Sequence, residues 1–295
     1  APGAAFAAAW TSLATAYGAL FGGSLGNPKE ILAGIQAYFS TGDSAALLKS
    51  IYPISESLVT ATPYIFAGLA VAVGFRCGLF NIGAEGQFFM GALGSVFVGY
   101  SLKGLPAIIH LPLALLGGIA AGALWGAIPG YLKAKFGAHE VVNTIMMNWI
   151  GFRLSDWLLN GPMKSPGFRP VTRNIAESAQ LPHFFADPLR VNWGFILALL
   201  VAWLIYWLLF KTTIGFEIRT VGANPDAAKY AGVNIVRNFV LAMVISGGLA
   251  GLSGASQVLG VDHWVGQGFS AGYGFDAIAI ALLGKSHPLG VVLAA

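Results

Sequence analysis

Six charged side chains stand in or beside apolar stretches of this sequence: Glu85, Glu140, Arg153, Asp156, Asp262 and Asp276. Together with the amides of Asn81, Gln87 and Asn143 they are the groups able to bind or pass on a polar molecule. A charge at the centre of a bilayer is costly, so such side chains normally face protein or water. The densest collection lies in Gly74-Phe75-Arg76-Cys77-Gly78-Leu79-Phe80-Asn81-Ile82-Gly83-Ala84-Glu85-Gly86-Gln87. Apolar flanks around a polar, glycine-rich centre have two readings. One is a membrane helix that stops and restarts, which lipid tolerates only where the broken backbone is buried in protein or lines a wet cavity. The other is a short surface loop, with Arg76 at the lipid headgroups.

The other charged positions are more ambiguous. Glu140, in His139-Glu140-Val141-Val142-Asn143-Thr144, reads either as the lining of a polar path or as a helix cap solvated among headgroups. Arg153 and Asp156 are three apart, which favours a local ion pair. Enzyme chemistry is absent. His139-Glu140 lacks the second histidine of a His-Glu-x-x-His zinc site, since Asn143 stands there. Gly284-Lys285-Ser286 resembles the end of a phosphate-binding loop, but Ala279 replaces its first glycine and the preceding run is apolar. No Gly-x-Ser-x-Gly nucleophile elbow occurs. These residues give no catalytic or metal site and no means of hydrolysing ATP. The single cysteine, Cys77, excludes an internal disulfide framework.

The elements that must hold these groups are membrane helices. Hydrophobic residues make up 56% of the chain and charged ones 9%, well below the ~25% of soluble domains. Runs of about 20 apolar residues predict eight spans, near 4–25, 57–74, 84–102, 107–131, 141–158, 192–210, 239–260 and 275–295, in one transmembrane domain over 1–295. Residues 27–56 read as a short amphipathic helix and loop, with Asn27-Pro28-Lys29-Glu30 and Thr41-Gly42-Asp43-Ser44 as start signals. Residues 159–191 read as a polar loop. Gly118, Gly122, Gly126 and Gly130 recur at every fourth position, and Gly247, Gly251 and Gly254 repeat the idea, so neighbouring backbones can approach closely. Pro129 reads as a kink or terminus. Lys and Arg divide eight against seven between the two sides, which hardly decides orientation. Leu69–Arg76 and Ile278–Lys285 each precede a glycine-containing break and suggest an internal repeat. With basic residues scattered, nothing points to nucleic acid. The chain opens as Ala1-Pro2-Gly3 and closes inside an apolar run, so residues are expected beyond both ends.

The loop 211–238 carries its own signals. Asn224 suits a helix N-cap, Pro225 the first helical position, Asp226 the positive end of the dipole and Gly232 the stop. A capped helix outside lipid could dock into a partner; the alternative is an ordinary connection.

Four motifs in order carry a family resemblance: Phe75-Arg76 with Gly78–Gly83 and Glu85-Gly86-Gln87; His139–Asn148; Gly222-x-Asn224-x-x-Ala227-Ala228-x-x-Ala231-Gly232; and Gly274–Gly284. They resemble bacterial ABC-importer permeases of the ribose and branched-chain amino-acid type, and most nearly the nucleoside branch. The resemblance covers roughly 27–295. It implies an all-α polytopic protein of the second importer type, with 9–10 spans in the full protein, in the bacterial inner membrane. It implies a second, related permease subunit, ATP-binding-cassette ATPase subunits that hold ATP and Mg²⁺, and an extracytoplasmic substrate-binding lipoprotein. Asn81, Glu85, Gln87, Glu140, Asn143 and Asp276 are the expected substrate path. Gly222, Asn224, Pro225, Asp226, Ala227, Ala228 and Gly232 are the expected cytoplasmic coupling element. A nucleoside is the expected solute. A simple sugar such as ribose, an ion-coupled carrier using Glu85 or Asp276, and a membrane scaffold are the alternatives.

Overall fold

The structure is a computed structural model and describes residues 2–42, 44–185 and 187–295. Asp43, one of the expected helix-start residues, lies outside them. The described residues are mainly helical: α1 (Pro2–Leu25), α2 (Pro28–Thr41), α3 (Ser44–Arg76), α4 (Ala84–Ser101), α5 (Ala107–Phe136), α6 (Glu140–Asn160), α7 (Trp193–Lys211), α8 (Thr213–Ala223), α9 (Pro225–Tyr230), α10 (Ile235–Gln257), α11 (Tyr273–Leu283) and α12 (Pro288–Ala294), with 161–192 largely irregular. A π-helical turn, Val258–Asp262, continues α10. Among the described residues only isolated β-bridges occur, joining 164–172, 171–266 and 183–192.

Four helices, α3, α5, α7 and α10 with its π turn, are long and apolar enough to cross a membrane; α11 and α12, bent by 118° at their break, could form a fifth. α1, α4 and α6 occupy three further expected spans; α4 and α6 are long enough but too polar to pass as spans by composition. Polar and glycine residues dilute α4, and 13 of its positions are buried in protein instead of facing lipid. The expected loop before residue 57 is absent, because α3 is already helical from Ser44. Pro129 does not end α5, which runs on to Phe136 and stops at Gly137, φ 66°.

Contacts divide the chain into two compact units, 1–60 with 183–192, and 61–182 with 193–295. In the first, Asn27 caps α2 by accepting from the Lys29 amide. Ser57 Oγ donates to the Ser24 carbonyl over 2.7 Å, and Arg190 clasps the Glu56 carboxylate with two nitrogens.

The second unit is built on α4, α5 and α10. A Cβ at Gly122 would come within 2.6 Å of Gly251 Cα, one at Gly126 within 3.0 Å of Gly247 Cα, and one at Gly118 within 3.0 Å of the Gly91 carbonyl. Gly91 abuts the Gly251 backbone and Gly254 the Phe88 carbonyl. Both glycine stripes therefore serve one purpose, backbone-to-backbone packing of three helices, the close approach that membrane helices favour. Two ends can be told apart. At one, Gly222 packs on the Arg76 and Cys77 backbone, and Arg76 donates to the Lys285 and Ser286 carbonyls. At the other, the Ala176 amide donates to Gly99 O, Leu181 N to Leu259 O, and His110 bridges Ser178 and Val98.

Substituting Gly122 by Val should lower the melting temperature and yield of detergent-solubilised protein by a loss of about 1–3 kcal/mol. Gly18→Ala, inside α1 with nothing within 4 Å of the added carbon, should lower neither.

Candidate functional site

The polar stretch after α3 is a tightly specified turn. Leu79 N donates to Gly74 O over 2.9 Å and Gly78 N to Phe75 O over 3.0 Å, with Gly78 at φ 74°. This is a Schellman stop, which satisfies the last carbonyls of α3. Two residues on, Asn81 Oδ1 accepts from Gly83 N over 3.0 Å and turns the chain into α4. Cys77, Leu79 and Asn81 are fully buried. Gly78 and Phe80 between them are exposed, so the break is held by protein on one side and open on the other.

The expected path residues fall into three groups. Asn81 and Gln87 face each other: Asn81 Nδ2 donates to Gln87 Oε1 and to Ser246 Oγ, both at 2.8 Å, and Gln87 Nε2 returns a bond to Asn81 Oδ1 at 3.3 Å. Ser246 Oγ in turn donates to Ala70 O at 2.6 Å. This network ties α3, α4 and α10 together with its groups consumed internally. Asn148, not among the expected residues, does the same for α6, donating to Ile82 O and accepting from Gly86 N.

Glu140 and Asn143 form a second group, on the first turn of α6. Lys133 Nζ meets Glu140 Oε2 at 2.8 Å. Burial pushes the Glu140 carboxyl up, but the Lys133 hydrogen bond, its own backbone amide and the charges of Lys133 and His139 together outweigh it and hold the group below its ordinary value. Asn143 Nδ2 is buried without a partner among the described residues.

Glu85 and Asp276 meet across the start of α11. Gly274 N donates to Glu85 Oε2 over 2.7 Å, and Tyr64 donates to Asp276 Oδ2 over 3.0 Å. Gly274 lies against the Glu85 backbone, where a Cβ could not fit. Arg76 does not pair with Glu85; its donors go to the 285–286 turn. Arg153 and Asp156 do pair, at 4.0 Å.

Glu85 opens on a cavity that it shares with Asp156. It holds about 290 Å³ and is lined by Glu85, Phe89, Phe152, Ser155, Asp156, Gly268 and Ser270. Its aromatic wall extends inward: Phe89 meets Phe152 at 5.1 Å and Phe269 at 4.9 Å, while Phe88 stacks on Phe269 at 5.2 Å and on Tyr273 at 5.4 Å. Carboxylates and hydroxyls beside stacked rings accept hydrogen bonds from a polar solute while offering a flat apolar face. Sequence reasoning found Glu85 but missed Phe89, Phe152, Ser155 and Ser270. Their contacts join residues more than sixty positions apart, and no local spacing signals them.

The 211–238 segment forms α8 and α9 joined at Asn224, whose side chain accepts from the Asp226 and Ala227 amides at 2.9 and 3.1 Å. Pro225 takes the first helical position and Gly232 follows the end at φ 81°. Gly222 and Ala228 face inward. Gly222 backs onto the Arg76 carbonyl and Ala228 is fully buried, whereas Asn224, Pro225, Asp226, Ala227 and Tyr230 are exposed.

Comparison with known proteins agrees with this architecture. Residues 54–295 match the family described as "Branched-chain amino acid transport system / permease component". The chain is 46% identical over 250 residues to a guanosine ABC transporter permease protein of Bacillus subtilis, covering 83% of this chain and 71% of that one. It is 36% identical over 260 residues to a glucose ABC transporter permease protein of Haloferax volcanii, covering 84% and 67%. A nucleoside ABC transporter permease protein of Lactococcus lactis is 35% identical over 257 residues, covering 84% and 71%. No solved structure is a significant match. The chain belongs to this family of permease components; it is a multi-pass membrane protein and a transport component, not an enzyme.

Asn81→Ala should strand Gln87 and Ser246 and cost about 1–3 kcal/mol of stability, read as lower yield of folded protein. Glu85→Gln, which keeps the acceptor for Gly274 N, should preserve the yield.

Proposed function

We propose that this permease component carries nucleosides across the bacterial inner membrane, with the Glu85 cavity on the route. The observation behind this reading is the cavity itself, where the Glu85 and Asp156 carboxylates and the Ser155 and Ser270 hydroxyls face Phe89 and Phe152. Ribose hydroxyls suit the carboxylates, and a planar base suits the rings, since aromatic pairs are worth about 0.5–1.5 kcal/mol beyond their buried area. The names of the Bacillus and Lactococcus relatives point the same way. The Haloferax relative supports a second reading, a simple sugar. A sugar has no base to stack, so the two separate by experiment. Under the nucleoside reading, Phe89→Ala and Phe152→Ala weaken nucleoside uptake about tenfold with the protein still folded. Glu85→Gln lowers it as well. Uptake of a labelled sugar that unlabelled nucleosides cannot compete away would overturn the reading.

In the assembly we propose, the expected segments before residue 275 cross the membrane, the bent α11–α12 pair enters it, and the subunit pairs with a second, related permease subunit. ATP-binding-cassette subunits, which hold ATP and Mg²⁺, dock on the cytoplasmic 211–238 segment, and an extracytoplasmic binding protein delivers the solute. The docking face is the exposed one, Pro225, Asp226, Ala227 and Tyr230, while Gly222 and Ala228 hold that face in place. Ala227→Arg should therefore abolish uptake at normal yield, whereas Ala228→Glu should reduce the yield. A cysteine at Tyr230 should react only with membrane-permeant reagents in intact cells; labelling by an impermeant reagent would invert the sidedness.

A further inference from the structure

The C-terminal half of α7 carries Trp203, Tyr206, Trp207 and Phe210, followed by Lys211. Trp203 and Trp207 are exposed. Amphipathic rings of this kind settle at the headgroup level of a bilayer, so Phe210 and Lys211 mark where α7 leaves the apolar layer. Two guanidinium groups converge on the Phe210 ring from different helices. The Arg76 guanidinium carbon, from the end of α3, lies 5.4 Å from the ring centre, and that of Arg219, from α8, lies 5.0 Å from it. His287 lies against the same ring with centroids 5.3 Å apart, and Lys211 and Lys285 stand exposed close by in the chain.

The protein satisfies these cations only in part. Arg76 Nε donates to Ser286 O over 2.8 Å and Nη2 to Lys285 O over 3.4 Å, while Arg219 Nε donates to Leu209 O over 2.9 Å. Among the described residues neither arginine enters an ion pair; those that form join Lys133 to Glu140, Arg153 to Asp156 and Arg190 to Glu56. Arg76 Nη1 and both terminal nitrogens of Arg219 keep donors with no protein acceptor among those residues. Two half-buried like charges around one ring repel each other, and an anion between them would convert that repulsion into attraction. The guanidinium fork matches phosphate oxygens.

We propose that Arg76 and Arg219 hold the phosphate of an anionic membrane lipid beside Phe210. The depth marked by the α7 rings selects a lipid over a soluble anion, because a headgroup phosphate already resides at that level. Bound there, the phosphate would fasten together the end of α3, the start of the 211–238 segment and the 285–286 turn.

The test is native mass spectrometry of the purified chain in detergent, titrated separately with phosphatidylglycerol, phosphatidylcholine and inorganic phosphate. Wild type is expected to retain phosphatidylglycerol in preference to phosphatidylcholine. Removing one basic charge near a membrane surface is worth about fivefold in affinity, so Arg219→Gln should weaken phosphatidylglycerol binding by about that factor. Arg219→Lys, which keeps the charge without the fork, should fall between. Lys103→Gln, at the opposite end of this unit, should change nothing and controls for general electrostatics. Equal retention of the two lipids, or unchanged binding in Arg219→Gln, overturns the proposal. Displacement of the lipid by millimolar inorganic phosphate overturns the lipid assignment in favour of a free anion. If Arg219→Gln binds phosphatidylglycerol as wild type does but loses a co-purifying protein subunit, the anion is a protein carboxylate and the proposal fails.

Discussion

The structure of the larger unit depends on backbones that touch. α4, α5 and α10 approach so closely through Gly91, Gly122, Gly126, Gly247, Gly251 and Gly254 that a single added carbon would collide with main chain. In lipid there is little hydrophobic gain from bringing helices together, so association rests on dispersion contacts and interhelical hydrogen bonds. Close approach maximises the first and permits the second. Because α4 lies directly on α10, Asn81 reaches Ser246 and Gln87 reaches Asn81. With wider helix spacing those amides would lie unpaired in an apolar interior, at a cost of about 1–3 kcal/mol each.

That packing also explains how a broken helix is tolerated. The Schellman stop at Gly78 and the Asn81 turn satisfy the freed carbonyls and amides locally, and Gly222 and Asn148 close the break from two further sides. A second break, between α11 and α12, is fastened to the first by the Arg76 side chain. α11 has only 11 residues, about 16 Å, roughly half the apolar thickness of a bilayer. Its first turn is pinned beneath Glu85 through Gly274. The segment bearing the exposed α9 face and α11, which follows the cavity-lining Ser270, thus both contact the stretch 74–87. This is a continuous physical connection between the docking face proposed for α9 and the cavity proposed for the solute.

Much of this organisation is legible in the residues. Composition and run length dictate an all-α membrane protein, since continuous runs of about 20 apolar residues suit a spanning helix, whereas a barrel strand needs only about 10 alternating ones. Four-residue glycine spacing announces close helix contacts, because residues four apart share one face. Asn224-Pro225 and Gly232 give the bounds of α9 through purely local chemistry, an amide cap and a left-handed stop. The family motifs identify a permease component. Span boundaries were legible only where hydropathy changes sharply; α3 extends to Ser44 because its first turns are helical without being strongly apolar.

What tertiary structure alone decided is direction and partnership. A sequence shows that Asn81, Glu85 and Gln87 are polar, but not that two of them bond to each other while the third faces a cavity. It shows Ala228 and Ala227 as equivalent small residues, although one is fully buried and the other exposed. Nor does it show Arg76 turned away from Glu85 towards carbonyls some two hundred residues later. The physical reason is common to all three. Local chemistry fixes a residue's backbone conformation, whereas the neighbour its side chain meets is fixed by how distant helices pack. Here glycine contacts on α4, α5 and α10 set that packing.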